Sequence, residues 1–337
     1  MGKMTKQAGT LMASEIDEAP GVFATTCISQ PDLTRLDLLG KRAIYTIARG
    51  SSDAAANILS YEFMREIGLP MTSLPPSVFS LGKGVDMHGA AALVISQSGA
   101  SDDLVLTAQG VAENGGAVVA ITNQPGSNVE AAAEVTIAIN AGVERAVPAT
   151  KSVIGSIAAG MAMLSVLKPE YAARTAASAT TFGALSTSES PQSAALTSAL
   201  LRARHVYVIG RDTGFGAAHE VALKLKECCA LHAEAYSSSE VLHGPLQLSA
   251  NALLVVMLDT EEPSIQASLD EAEARFRAQG SSVFRLRPSD IDAPNLTPAA
   301  AAALLLYMLY PIILSTALAL GFDPDRPDTL AKVTKTT

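Results

Sequence analysis

Short apolar runs alternate along the chain with longer segments whose apolar positions recur every three or four residues. That is the pattern of buried strands alternating with amphipathic helices. Residues 11–26 carry apolar positions on one face and acids on the other, which predicts a short helix. Residues 31–40 predict a loop or short helix, 43–48 a buried strand, 49–53 a turn, and 54–67 a helix stopped by Gly68 and Pro70. A strand at 92–95, a hydroxyl-rich turn at 96–101 and a helix at 102–114 follow, then strands at 117–122 and 135–139. Residues 150–185 are helical in pattern and rich in small side chains, and the polar run 186–193 is a candidate linker.

The pattern then restarts with a strand at 205–209, a glycine-rich turn at 210–216 and a helix at 217–231. Strands at 252–258 and 282–286 flank a helix at 263–279. Ile44-Tyr-Thr-Ile-Ala-Arg-Gly-Ser-Ser and Val206-Tyr-Val-Ile-Gly-Arg-Asp-Thr both read as strand, glycine turn, helix, each at the head of one half. The expectation is an α/β protein with parallel sheets, built as a diverged internal duplication. The expected division is a helical segment at 1–30, a first domain at 31–185, a linker at 186–193, a second domain at 194–325 and a tail at 326–337.

Residues 297–322 carry no charge, which is long enough to cross a bilayer. The run opens in alanines, contains Pro311 and has no tight Lys/Arg flank, so a core helix or a helix at a subunit interface is expected instead. The 337-residue chain is 48% hydrophobic with a net charge of −9, enough for two packed domains and without the basic stripe that sequence-blind nucleic-acid binding needs. A small anionic ligand is not excluded, because a local field can oppose the net charge. Cys27, Cys228 and Cys229 form no C-x-x-C and have no histidine at metal-ligand spacing. A reducing, cytoplasmic setting fits them, no metal or other cofactor is expected, and the N-terminus shows no secretory h-region.

The chemistry concentrates in a few places. The turn Ser96-Gln-Ser-Gly-Ala-Ser101, between a strand and a helix N-terminus, offers free backbone N–H groups, rotatable hydroxyls and a glycine for close approach of an anion. The ordinary alternative is a helix capped by Ser101 or Asp102 beside loop serines. Glu220, Lys224 and Glu227 fall at i, i+4 and i+7, on one helix face. They form either a solvated ion-pair face or, if the face lines a cleft, a carboxylate poised for proton abstraction. His243 precedes Gly-Pro in a run with serines and glutamates, whereas His232 reads as a packed helix-end residue. Lys332 is a plain exposed terminal lysine, a Schiff-base amine or an ammonium near phosphate; residue chemistry alone leaves these open.

Taken in order, Gly50-Ser-Ser, Ser96-Gln-Ser-Gly-x-Ser101, Ala149-Thr-Lys, Ala222-Leu-Lys-Leu-Lys-Glu227, His232-Ala-Glu-Ala-Tyr, His243-Gly-Pro and Leu330-Ala-Lys332 resemble one known arrangement. It is that of the double sugar-isomerase (SIS) domain family. The likeness is to the isomerase half of glucosamine-6-phosphate synthase and to isomerase-only glucosamine-6-phosphate deaminases, and it runs from about residue 11 to the end. It implies two tandem SIS domains, each a flavodoxin-like three-layer unit. It implies a phosphate cradle at Ser52, Ser96, Gln97, Ser98 and Ser101, sugar contacts at Ser51 and Val147, and Glu227 as the base moving a proton between C1 and C2. Glu220 and Lys224 are implied as its neighbours on the sugar, His243 as a ring-opening group supplied by a partner subunit of a homodimer, and Lys332 as a tail residue closing on the open sugar. Two departures stand out: the glutaminase half of the synthase is missing from this sequence, and Arg49 and Ala149 replace a small cysteine and serine. The implied reaction is release of ammonia from glucosamine 6-phosphate to give fructose 6-phosphate. The rivals are another phosphosugar isomerisation, a fructosamine-6-phosphate deglycase, or a sugar-phosphate sensor without turnover. A dinucleotide enzyme is disfavoured, since the glycines at 210–216 depart from G-x-G-x-x-G.

Overall fold

Strands with apolar side chains toward both faces must be covered on both faces, and parallel sheets sandwiched by helices meet that demand. A computed structural model describes residues 7–185 and 188–332. Helix α1 (Thr10–Cys27) precedes a first unit of β1 (Ala43–Ile47), α2 (Ser51–Ile67), β2 (Met71–Ser73), α3 (Ser77–Ser80), β3 (Ala90–Ser96), α4 (Asp102–Glu113), β4 (Ala117–Thr122), α5 (Asn128–Ala131) and β5 (Val135–Ala138). Helices α6 (Lys151–Leu167), α7 (Pro169–Gly183) and α8 (Ser193–Leu200) connect it to β6 (Val206–Gly210), α9 (Thr213–Cys229), β7 (Ala233–Ser237), β8 (Leu254–Leu258), α10 (Gln266–Ala278), β9 (Ser282–Leu286) and α11 (Pro298–Ala319). The first sheet runs β2-β1-β3-β4-β5 and the second β7-β6-β8-β9, with every pair parallel. Both follow the flavodoxin-like 2-1-3-4 order. Every residue of β3, β4 and β8 is buried, as a covered parallel sheet requires.

Three elements depart from the sequence pattern. The helical run 150–185 is two helices, because Pro169 has no N–H to continue α6 and sits instead at the start of α7. Helix α9 begins at Thr213, four residues before the pattern suggests. Asp212 accepts a hydrogen bond from Thr213 N at 2.6 Å and so starts the helix. Gly216 is therefore a packing residue: an added Cβ would lie 2.6 Å from Ile58 Cγ1 and 2.7 Å from Ile58 N on α2. Residues 233–237, part of a polar run that suggests a loop, form the edge strand β7 against β6. Of the expected linker, Ser186 and Thr187 lie outside the described residues, as do residues 333–337 of the expected tail.

Helix α11 is long and apolar enough to cross a membrane, with a mean hydropathy of 2.0, yet 83% of that stretch is buried inside the fold. It packs against α9, α8, α6 and α1 and is a core helix of the chain itself. Burying its leucines and aromatic rings supplies apolar contact on all sides, which explains a helix apolar all round.

Candidate active site

The chain leaves β1 toward β2 on one side and β3 toward β4 on the other, so the C-terminal ends of β1 and β3 part and leave a crevice. Helices α2 and α4 both start there, at Ser51 and Asp102, with their first N–H groups unpaired within the helix. Gly99 adopts φ 59°, and a side chain there would run into Ser127 Oγ. This tight turn folds backbone onto hydroxyls: Gly99 N donates to Ser96 Oγ at 3.1 Å and Ala100 N to Ser98 Oγ at 3.3 Å. Each hydroxyl thereby acts as acceptor to the backbone and keeps its own proton for a ligand.

A cavity of about 330 Å³ occupies the crevice, at the small end of the range for small-molecule sites. Its wall carries Ser51, Ser52, Ser96, Gln97, Ser98, Ser101, Val147, Lys224, Glu227 and Lys332, which is every residue singled out from the sequence except Glu220 and His243. Glu220 departs from the expected sugar contact, because its fully buried carboxylate lies behind Lys224 rather than on the wall. His243 ends a short 3-10 turn (Glu240–His243), is exposed and is not on the wall. Among the described residues no histidine lines the cavity.

Lys224, on α9, is the hub of the second wall. Its Nζ donates to Ser51 Oγ at 2.7 Å and Glu227 Oε2 at 2.6 Å, and lies 3.2 Å from Glu220 Oε1. Because Ser51 opens α2, this link ties one half of the chain to the other across the cavity. Tyr310 of α11 donates to Glu220 Oε1 at 3.2 Å from behind. Burial pushes the Glu220 carboxyl up to about 7 against the pull of Lys224. Burial alone would lower Lys224, but Glu220 and Glu227 outweigh it and hold the ammonium above its ordinary range. One cation thus faces two carboxylates, and a proton on Glu220 leaves the lysine's charge to Glu227.

The third wall is the tail. Lys332 Nζ donates to Glu144 Oε2 at 3.0 Å. The buried Glu144 also accepts from Thr150 N at 3.0 Å, Ser152 N at 3.1 Å and Ser152 Oγ at 2.6 Å. Burial raises its carboxyl, yet Lys332 and these donors bring it below the ordinary value. Asp325 anchors the tail further back, accepting from Leu11 N at 2.9 Å and Met12 N at 2.8 Å while its carbonyl accepts from Val147 N at 3.2 Å. Sequence reasoning missed Glu144, Asp325 and Tyr310. Lone acids in loops and a tyrosine within an apolar helix carry no local signal of the partners they meet. Among the described residues no group of three or more His, Cys, Asp or Glu side chains is placed to hold a metal ion.

Two like-ordered parallel sheets, with a hydroxyl-lined crevice at the first switch point, define a two-sheet α/β protein with a candidate site for a small anion. The SIS domain family matches residues 37–166 and 199–280, and the chain belongs to that family. It is 29% identical over 344 residues to the glutamine–fructose-6-phosphate aminotransferase (isomerizing) of Pyrobaculum aerophilum, covering 95% of this chain and 56% of that protein. The chain spans just over half the length of the curated relatives it matches. A Silicibacter pomeroyi crystal structure, provisionally described as a phosphosugar isomerase, is 30% identical with a TM-score of 0.82, covering 94% of this chain and 99% of that one. The glucosamine-6-phosphate deaminase of Thermotoga maritima shares the fold at 18% identity, with a TM-score of 0.75 over 97% of this chain and 100% of that one.

Proposed function

We propose that the chain is a phosphosugar aldose–ketose isomerase that converts glucosamine 6-phosphate to fructose 6-phosphate and ammonia. The observation that carries this reading is the meeting of a carboxylate, Glu227, with the Ser96–Ser101 turn across one small cavity. The phosphate rests on the hydroxyls and N–H groups of that turn and of Ser52, which fixes the sugar remote from its reacting carbons. Ser51, Val147 and Lys332 border the sugar, and Lys224 supplies the cation near developing negative charge on the C1 oxygen. His243, exposed and off the wall, reaches the sugar from a second copy of the chain and assists ring opening, so the working unit is a homodimer.

With the sugar open, Glu227 removes the C2 proton, giving an enolamine whose double bond joins C1 and C2. The proton returns at C1, where the C1–C2 π pair forms the new C–H bond, and the nitrogen lone pair moves in to make the C2=N bond of a ketimine. Water adds to C2, the C–N bond breaks and ammonia leaves, so atoms and charge balance without an external oxidant.

The test measures ammonia and fructose 6-phosphate released from a panel of hexosamine phosphates. Glu227→Gln is expected to lower kcat by about 10²- to 10⁴-fold, the range for a removed general base. An unchanged rate removes Glu227 from the role. Turnover of hexose phosphates without any ammonia from hexosamine phosphates moves the substrate to a neutral sugar on the same cavity.

A further inference from the structure

Arg49 is the cavity's least expected residue. It sits in the turn after β1, lines the cavity beside Ser51 and Ser52, and its side chain is 55% exposed. Its Nε donates to Asp103 Oδ2 at 2.9 Å, and Asp103 is only 2% exposed. Its two terminal nitrogens have no hydrogen-bond partner among the described residues.

The charges on the wall show what such an arginine does. Lys224 is engaged by Glu220 and Glu227, and Lys332 by Glu144. The serine turn offers neutral donors only. The positive end of α4 is itself opposed by Asp102 and Asp103 in its first turn. A phosphomonoester carries roughly −1.5 to −2 charges near neutral pH. Without Arg49 it would face a buried, uncovered Asp103 carboxylate. A guanidinium whose Nε edge is held by that carboxylate is fixed in orientation and keeps its other donors for the anion.

We infer that Arg49 is the cation of the phosphate subsite, aimed by Asp103, and that it makes this cavity selective for the phosphate dianion over singly charged esters. The inference rests on the phosphate reading of the Ser96–Ser101 turn and deepens it. Arg49 stays remote from C1 and C2, so its contribution appears in binding rather than in the chemical step.

The test is calorimetric binding of inorganic phosphate and of methyl sulfate, a singly charged ester, to the intact chain, with steady-state kinetics on the preferred phosphosugar alongside. Arg49→Ala is expected to weaken phosphate binding roughly 10- to 100-fold, the range for losing a charge-assisted hydrogen bond. KM should rise by a similar factor, with kcat changed less than about threefold, and the melting temperature should fall by a few degrees because the buried Asp103 carboxylate loses its partner. The wild-type preference for phosphate over methyl sulfate should shrink. Arg49→Lys should restore only part of the affinity, since an ammonium cannot hold Asp103 and fork onto the anion together. Equal phosphate affinity in wild type and Arg49→Ala overturns the inference while leaving the cradle intact. So does a loss confined to kcat. Wild-type protein that binds no phosphate overturns the cradle reading itself.

Discussion

Replacing Glu220 with glutamine is expected to flatten the pH dependence of stability, with the sign set by burial. In the folded protein the Glu220 carboxyl stands at about 7, against 4.5 for a free glutamate. Between those values the folded chain holds a proton that the unfolded chain has released, so stability falls as pH rises through this window and levels off above 7. The full loss is on the order of 3 kcal/mol, of which roughly 2–3 kcal/mol falls between pH 5 and pH 8. Glutamine keeps an oxygen for Tyr310 and Lys224 but never ionises. Glu220→Gln should therefore gain roughly 2–3 kcal/mol relative to wild type on going from pH 5 to pH 8. Urea unfolding midpoints at pH 5, 6, 7 and 8 read this directly. Glu62, also pushed up to about 7 by burial, titrates in both proteins and cancels in the difference. An offset between variant and wild type that is constant across the series refutes the account.

Further outcomes follow from the same geometry. Gly99→Ala places a Cβ at φ 59° against Ser127 Oγ, so it should cost about 1–2 kcal/mol of strain and raise KM about tenfold or more by spoiling the turn; unaltered KM argues against the cradle. Asp325→Ala removes both side-chain acceptors at the start of α1, so thermal unfolding should show a loss of roughly 1–3 kcal/mol, and kcat/KM should fall with it because the tail that carries Lys332 is no longer tied to α1. If His243 serves a neighbouring site, mixing inactive Glu227→Gln and His243→Ala chains should restore about a quarter of wild-type activity through mixed dimers, whereas no recovery ties His243 to its own chain.

The strands and the serine turn were legible because they are written locally: β3 and β4 are uninterrupted apolar runs, and Ser96 to Ser101 follows a strand and precedes a helix. The face shared by Glu220, Lys224 and Glu227 was legible as well, since helical spacing fixes it whatever the fold. Its depth was not. Periodicity could not say that Glu220 is sealed behind Lys224, because the sealing residue, Tyr310, comes from α11, ninety positions along the chain. The start of α9 was misread for a related reason: Gly214 and Gly216 resemble turn residues, but their lack of Cβ answers the close approach of β8 and α2. Glu144 and Asp325 act only after the tail has folded back across the cavity, a contact between distant segments that no local pattern encodes.

The two halves share a topology but use it differently. At the first switch point the turn after β1 and the turn after β3 leave donors free. At the second, between β6 and β8, the same positions satisfy themselves. Asp212 folds its carboxylate onto its own helix N-terminus at Thr213 N and onto Arg65 of α2, 2.5 Å away. Arg211 donates to Ser237 Oγ at 2.9 Å and to Ser239 Oγ. A helix start already occupied by its own acid is a poor anion site. The second half has instead turned the middle of α9 toward its sibling. Gly216 lets α9 lie close on α2, and one turn further along Glu220 seals the hub that brings Lys224 against Ser51 and Glu227 into the first half's crevice. Such a division places the proposed anion grip on one half and the proposed proton-moving carboxylate on the other, so the cavity exists only while the two remain packed together.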